Sequence, residues 1–433
     1  MTTAPGELPL LGHSLALLRR DRIGYLTSLQ RLGDIVEVKI GTRPYLVLNS
    51  ADLVRTVMVE QAKSFAPGRI FNKARPYVGD GLFTAEGTEH NRQRRMVQPA
   101  FHRAEVARYV ARVSEVTRKQ VAEWTPGDTV EMGRQMHILT SEIIGQTMFR
   151  APEACEVVRV ARDQLPALLQ GLGMRTLLPD LFTRIPTPVN RRFDEACDSL
   201  RNSSQRLVES YRKNHSDLGD FISMLMAARD GRTDTAFTDA EIRDQVMTLL
   251  IAGIETPATT LTWALYEIAH RPELQDRIVA EATDPADVNS LQFTDAVVQE
   301  ALRLHHPLWM LMRRAVEPVT IGGVSITPGT EVIYSPAALH RDPTIFADPL
   351  RFQPERWLDA TPEMQRALIP FGVGNRQCIG DHFAWSMMKI CIATIAAERR
   401  LTLPAGFTPK TIISSIVHLA DLPMVMHRRE RNS

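Results

Sequence analysis

The amino-acid sequence predicts a mostly α-helical protein with a minor β part, and three observations carry that reading. An apolar pattern at helical spacing runs without a break from Thr238 to about residue 270. Helical periodicity dominates about 88–305 and returns at about 370–400, while strand-like alternation is confined to about 30–60 and 315–336. The 433 residues are 44% apolar and 23% charged, an ordinary globular composition. They read as a single domain over 1–433, with the two β-rich stretches forming its smaller part.

The elements follow in chain order. The opening "MTTAPGELPLLGHSLALLRRDR" has no basic region before its apolar part, so a secretory signal is not expected. In "IVEVKIGTRPYLVLN", Val36, Val38 and Ile40 alternate with Glu37 and Lys39 before a Gly41/Pro44 turn, which predicts a hairpin. Residues 68–82, "GRIFNKARPYVGDGL", read as an irregular loop of apolar and basic side chains. The long helix opens on Thr238 with Glu241 three residues on, a capping box. It is apolar on too many sides for a surface helix and should run through the core. Pro257 inside it removes a backbone donor and should distort it. A second helix, 293–306, stops before Pro307; "VTIGGVSITPGTEVIYS" reads as short strands, and 341–370 as a long ordered irregular stretch. A last helix follows Cys378.

Several function classes are excluded or disfavoured at this level. Lys plus Arg is 51 and Asp plus Glu is 50, a net charge of +1, which argues against nucleic acid or an anionic membrane as partner. No apolar run approaches the ~20 residues that span a bilayer, so no membrane anchor is expected. The four cysteines show no CxxC and are widely spaced, against a zinc site or a disulfide framework and for a reducing cytoplasmic setting. Cys155, Cys197 and Cys391 read as small hydrophobes packed in helices.

Five short motifs carry chemistry. In "PFGVGNRQCIG", Cys378 lies between a glycine-rich loop and a helix, where backbone N–H groups favour thiolate. It reads as a nucleophile with His382 as base, a redox sensor, a metal ligand, or a structural cysteine. "AGIET" puts Glu255 and Thr256 in the apolar helix behind two small residues, either a functional acid and alcohol or a polar kink in which the threonine bonds back to an upstream carbonyl. Glu300 and Arg303 share a helix face. "PERW" contributes Arg356, and His90 and Arg94 stand four apart in "HNRQRRMVQPAF".

Order and spacing make these one pattern. AGxET in a long helix, then ExxR, then PERW, then FxxGxRxCxG at Phe371, Gly374, Arg376, Cys378 and Gly380 resembles the cytochrome P-450 family over essentially the full chain. The resemblance implies the cytochrome P-450 fold, a long central helix over haem b (iron protoporphyrin IX), and a haem-thiolate monooxygenase. It implies Cys378 as axial ligand of the haem iron, with Phe371, Gly372 and Gly380 around the sulfur and Ala252 against the haem face. It implies His90, Arg94, Arg313 and Arg376 as propionate partners, with Arg314 as neighbour and competitor of Arg313. Glu300, Arg303 and Arg356 become a structural knot, and Thr256 with Glu255 the pair that handles protons for dioxygen. "PLLGH", "NRRF" and "RRAVEP…IGG" resemble bacterial members from terpenoid pathways.

Phe71, Phe83, Leu249, Trp309, Met310 and Ile416, with Tyr77, Met174, Leu177 and Leu178, are the pocket candidates and imply a hydrophobic small-molecule substrate. No fused flavin or ferredoxin segment is recognised, so electrons are expected from a separate ferredoxin (or flavodoxin) and reductase, docking near Arg366 and Lys389. A peroxide-using or rearranging haem-thiolate enzyme, a non-enzymatic haem binder and a cysteine hydrolase are the competing classes.

Overall fold

The computed structural model describes residues 2–19, 21–177, 183, 185–214 and 217–429. Leu178 and the side chain of Leu177 fall outside that description. The helix Asp239–His270 is the axis of the molecule. Thr238 caps it, with its hydroxyl accepting from Glu241 N–H while the Glu241 carboxylate accepts from Thr238 N–H. Helices Met132–Met148, Ala154–Leu177, Pro188–Asn214, Gln292–Leu304 and Asp381–Glu398 pack around it. Leu250, Ile254, Leu261 and Ala264 are wholly buried there, so the helix is apolar all round because it is enclosed all round. The helix continues without interruption through Pro257. On either side of it, Thr256 Oγ1 donates to Ala252 O at 2.8 Å and Thr260 Oγ1 to Thr256 O at 3.0 Å.

The β part lies at one flank. Ile35–Ile40 and Arg43–Leu48 form the expected hairpin, turning at Gly41 with φ +62°. Arg43–Leu48 runs parallel to Glu331–Tyr334, which pairs antiparallel with Leu311–Ala315, and Phe65–Pro67 closes the edge. Arg313 thereby stands opposite Val332 on one side and Pro67 on the other. A small hairpin, Thr411–Ile413 with Val417–Leu419, lies against the central helix.

Three expectations are corrected. Residues 69–78 are a helix, Arg69–Val78, not an irregular loop: Ile70, Phe71, Ala74, Tyr77 and Val78 share one face, and Pro76 is accommodated within it. Cys155 is exposed rather than packed, while Cys197 and Cys391 are buried. Lys389 is not a free surface cation, because its ammonium donates to Val288 O at 2.7 Å and sits 3.1 Å from Asp295. Arg366 is exposed and paired with Asp52 at 2.7 Å.

Candidate active site

The cysteine loop is fixed from behind by two buried histidines. Leu308 N–H donates to His306 Nδ1 at 3.0 Å, leaving Nε2–H to donate to Pro370 O at 3.1 Å. Ile369 N–H donates to His340 Nε2 at 3.0 Å. Burial holds both rings neutral, pushing His306 down to about 4 and His340 well below its ordinary value. Neither histidine was singled out from the sequence, and only their closeness to the ExxR helix and to Pro336 hinted at a role.

Glycine is required at two points of the loop. Gly374 has φ +75° and passes so close to Met58 that a Cβ would lie 2.0 Å from its carbonyl oxygen. Gly372, at φ +68°, faces open space with no atom within 4 Å of a Cβ. Between them the chain turns back, and Cys378 N–H donates to Phe371 O at 2.9 Å. The helix proper begins only at Asp381. His382 is exposed, and among the described residues no hydrogen bond joins it to Cys378, so the nucleophile–base reading finds no geometry.

Cys378 and Ala252 are both exposed although the elements carrying them are interior. Both present surface to space that protein does not fill, a cleft beside the cysteine loop. The Cys378 thiol reaches that space and is otherwise crowded by protein. Burial pushes it up to about 11, against the lowering effects of the Gly380 N–H and of Arg94. The sequence led us to expect a lowered value from the helix N-terminus; enclosure outweighs it. A thiolate here therefore needs a positive centre brought into the cleft. Cys391 offers no such site: it is wholly buried, its Sγ lies 3.5 Å from Thr117 Oγ1, and burial pushes it up to about 12.

Three guanidinium groups and one imidazole converge at the cleft edge. His90 and Arg94 come from the helix Gly87–Val97, Arg313 from its strand, and Arg376 from the loop. Arg94 donates to Gln377 O at 2.7 Å, Arg376 to Ala85 O at 2.6 Å, and Arg313 to Met312 O at 2.8 Å. Each uses carbonyls, leaving its charge unneutralised. Burial first, then the charges of Arg376, Arg94 and Arg313, pushes His90 down to about 4. Burial and Arg313 push Arg376 down to about 10, with Glu86 opposing. Guanidinium groups gathered at a partly buried site and bonded to carbonyls favour an anion there. Arg314 instead faces Glu86 at 3.7 Å. The thiol, the cleft and the unneutralised cations together fit a flat iron-bearing group with carboxylate arms.

The knot behind the loop is complete. Glu300 accepts from Arg303 Nε and Nη2, both at 2.8 Å, with both side chains wholly buried. It also accepts from Arg356 Nε at 3.1 Å, Trp357 Nε1 at 2.8 Å and Gln353 N at 2.9 Å. Arg303 Nη1 reaches His340 O at 2.9 Å, which links the knot to the histidine that holds Ile369. Gln353 and Trp357 were missed from the sequence, although Trp357 lies within the quoted PERW.

The pocket candidates divide. Phe71 and Phe83 meet edge to face with centroids 5.1 Å apart, and the Arg313 guanidinium lies 5.9 Å over Phe71. Leu249 is partly buried on the central helix. Trp309 and Met310 pack instead in the small core with Leu17 and Val36, and Trp309 Nε1 donates to Ser414 O at 2.9 Å. Ile416 is also buried, at 4% exposure. All three side chains are therefore buried, whereas Leu249 is partly buried and Phe83 is exposed.

The comparisons with known proteins agree with this geometry. A family model described as cytochrome P-450 matches residues 3–424, and the chain belongs to that family of haem-thiolate monooxygenases. Among similar proteins, cyclooctat-9-en-7-ol 5-monooxygenase from Streptomyces melanosporofaciens is 38% identical, with 99% of this chain and 95% of the relative covered. Cyclooctatin synthase from the same organism is 37% identical over 92% and 90%. Pentalenene oxygenase from Streptomyces avermitilis is 32% identical over 96% and 95%. A crystal structure of the heme domain of cytochrome P-450DA superposes with a TM-score of 0.86, covering 99% of this chain and 98% of that one at 24% identity. That likeness establishes the cytochrome P-450 fold. Among the described residues no helix is long and apolar enough to cross a membrane.

Proposed function

We propose that this monooxygenase holds haem b through Cys378 and oxidises a terpenoid hydrocarbon or its hydroxylated derivative. The observation that carries the site assignment is the set of Arg94, Arg313 and Arg376 beside the neutral His90, each guanidinium donating to a backbone carbonyl around the Cys378 loop. Two carboxylate arms pair with these groups, and guanidinium forks suit them geometrically. Arg313 is preferred over Arg314 because Arg314 already has a carboxylate. Haem, when bound, supplies the activation of dioxygen that puts one oxygen atom into the substrate.

The chain's own residues do the rest. Gly372 leaves room for close approach, and Phe371 packs at 5.7 Å from Trp385, shielding the sulfur side from water. The Glu300–Arg303–Arg356 knot keeps the loop's carrier in place. Thr256 holds its hydroxyl proton toward Ala252 O on the cleft side of the central helix, ready to turn outward. Glu255, next in the chain, supplies the proton that the alcohol relays. Phe71, Phe83 and Leu249 exclude water and orient an apolar substrate. Electrons come from a separate ferredoxin or flavodoxin with its reductase, in the cytoplasm.

The terpenoid class is supported by the relatives, all three of which are named for terpenoid substrates or products. Optical titration of the ferric enzyme with cyclooctat-9-en-7-ol, pentalenene, a macrolide and a fatty acid tests it. A saturable spectral shift with a terpenoid is expected; a shift with the macrolide or fatty acid alone overturns the substrate class.

A further inference from the structure

The helix Met132–Met148 brings a second titratable side chain to the acid of the proton-handling pair. His137 Nε2 lies 2.8 Å from Glu255 Oε1, with the two side chains 15% and 14% exposed. Adjacent helix residues point about 100° apart, so the alcohol of Thr256 and the carboxylate of Glu255 face different ways. Thr256 turns to Ala252 on the open cleft side. Glu255 turns away, to His137. The contact is imposed by the backbone: Thr140, one turn after His137 and wholly buried, has its hydroxyl 3.0 Å from Ile254 O. That pins the two helices together at the residue before Glu255.

A second imidazole approaches the same carboxylate from another element. His418 stands opposite Ile412 in the short hairpin that lies on the central helix. Burial pushes its pKa down, and the Glu255 charge, followed by the Ile416 backbone, opposes that. Among the described residues, His137 and His418 are the titratable groups recorded against Glu255.

We infer that His137 is a positioning and proton-relay residue that keeps Glu255 oriented and recharges it with protons from solvent. The inference rests on the reading of Glu255 given above. His137 Nε2 is buried and close to the carboxylate without an aligned hydrogen bond, so a small rotation of the ring makes or breaks that bond. Histidine is the side chain whose ordinary titration lies nearest neutrality, so it can take and give a proton in one cycle. In the step itself the Nε2–H bond of the imidazolium breaks as an O–H bond forms at Glu255 Oε1. The neutral ring, 15% exposed, is then reprotonated by a hydronium ion from solvent. The delivered proton is one of the two consumed when one oxygen atom of dioxygen leaves as water; the two electrons come from the ferredoxin. His418 is near enough to feel the Glu255 charge.

The test uses the haem-loaded enzyme with ferredoxin, reductase and dioxygen alone, so no substrate has to be known. NADPH oxidation is measured against pH for wild type, His137→Gln, Glu255→Gln and the double variant, with His137→Asn in reserve should the glutamine fail to load haem. His137→Gln is expected to be about a hundredfold slower, to change the pH profile of the rate, and to add nothing to Glu255→Gln. Independently of turnover, imidazole NMR of the reduced carbon-monoxide form is expected to show the His137 ring resonances moving in Glu255→Gln. A wild-type rate and pH profile in His137→Gln with a slow Glu255→Gln overturns the inference and leaves the Glu255 reading standing. Additive losses, or unmoved His137 resonances, also overturn it. A wild-type rate in Glu255→Gln overturns the reading of Glu255 and the inference with it.

Discussion

Replacing Glu300 by glutamine removes one charge and converts one acceptor into a donor at the centre of the knot. The two carboxylate oxygens are not equivalent. Oε2 accepts from Arg303 Nε and Trp357 Nε1, whereas Oε1 accepts from Arg303 Nη2, Arg356 Nε and Gln353 N. The amide nitrogen takes the Oε2 place, where it faces two donors instead of three. One charged and one neutral hydrogen bond are lost, and two buried guanidinium groups keep only a neutral acceptor. Hydrogen bonds to charged groups are worth about 1.5–3 kcal/mol, and unpairing a buried ion costs roughly 3–5 kcal/mol. The variant is therefore expected to be about 3–5 kcal/mol less stable. Guanidinium unfolding of the haem-loaded protein, followed by far-ultraviolet dichroism, reads this as a lower midpoint at unchanged slope. A loss below about 1 kcal/mol would refute the reasoning, since it would mean that water or relaxation replaces the knot.

Three further outcomes are expected. His306 is neutral when folded, with its pKa near 4, so the unfolded chain takes up the proton first. Stability is fully present above about 6.5 and declines as the pH falls toward 4, by about 3 kcal/mol from this group. Unfolding curves at pH 7 and 4.5 should show a smaller acid loss in His306→Gln. Gly374→Ala, which drives a Cβ against the Met58 carbonyl at positive φ, is expected to destabilise the haem-free protein far more than Gly372→Ala, where only the φ penalty of about 1 kcal/mol applies before haem binds; the unfolding midpoints of the haem-free variants read the difference. Arg376→Ala should lose haem to apomyoglobin about tenfold faster than wild type, with Arg376→Lys in between, because a lysine keeps the charge without the fork.

The long helix was legible because its cap and its apolar spacing are both local signals, and the structure starts it at the residue after Thr238. The hairpin at Gly41 was legible for the same reason. Residues 69–78 were misread because Pro76 and the basic side chains outweighed a helical face that Ile70, Ala74, Tyr77 and Val78 did display. The cysteine loop could be recognised as a motif, but its supports could not. His306 and His340 are brought to Pro370 and Ile369 from 64 and 29 residues away, and no local pattern encodes such a meeting. His137 is one of several polar residues on the helix Met132–Met148, which reads as surface until Ile254 and Thr140 dock the two helices. Trp309 and Met310 read as pocket because of their size and position, and the structure buries both in the small core with Leu17 and Val36.

The central claim, that Cys378 is the thiolate that holds haem, is tested most directly by the carbon-monoxide spectrum of the reduced protein in wild type, Cys378→Ser and Cys391→Ser. Wild type and Cys391→Ser are expected to share the absorption band of a thiolate-ligated haem, and Cys378→Ser to lack it. Retention of that band in Cys378→Ser, or its loss in a folded Cys391→Ser, would contradict the assignment.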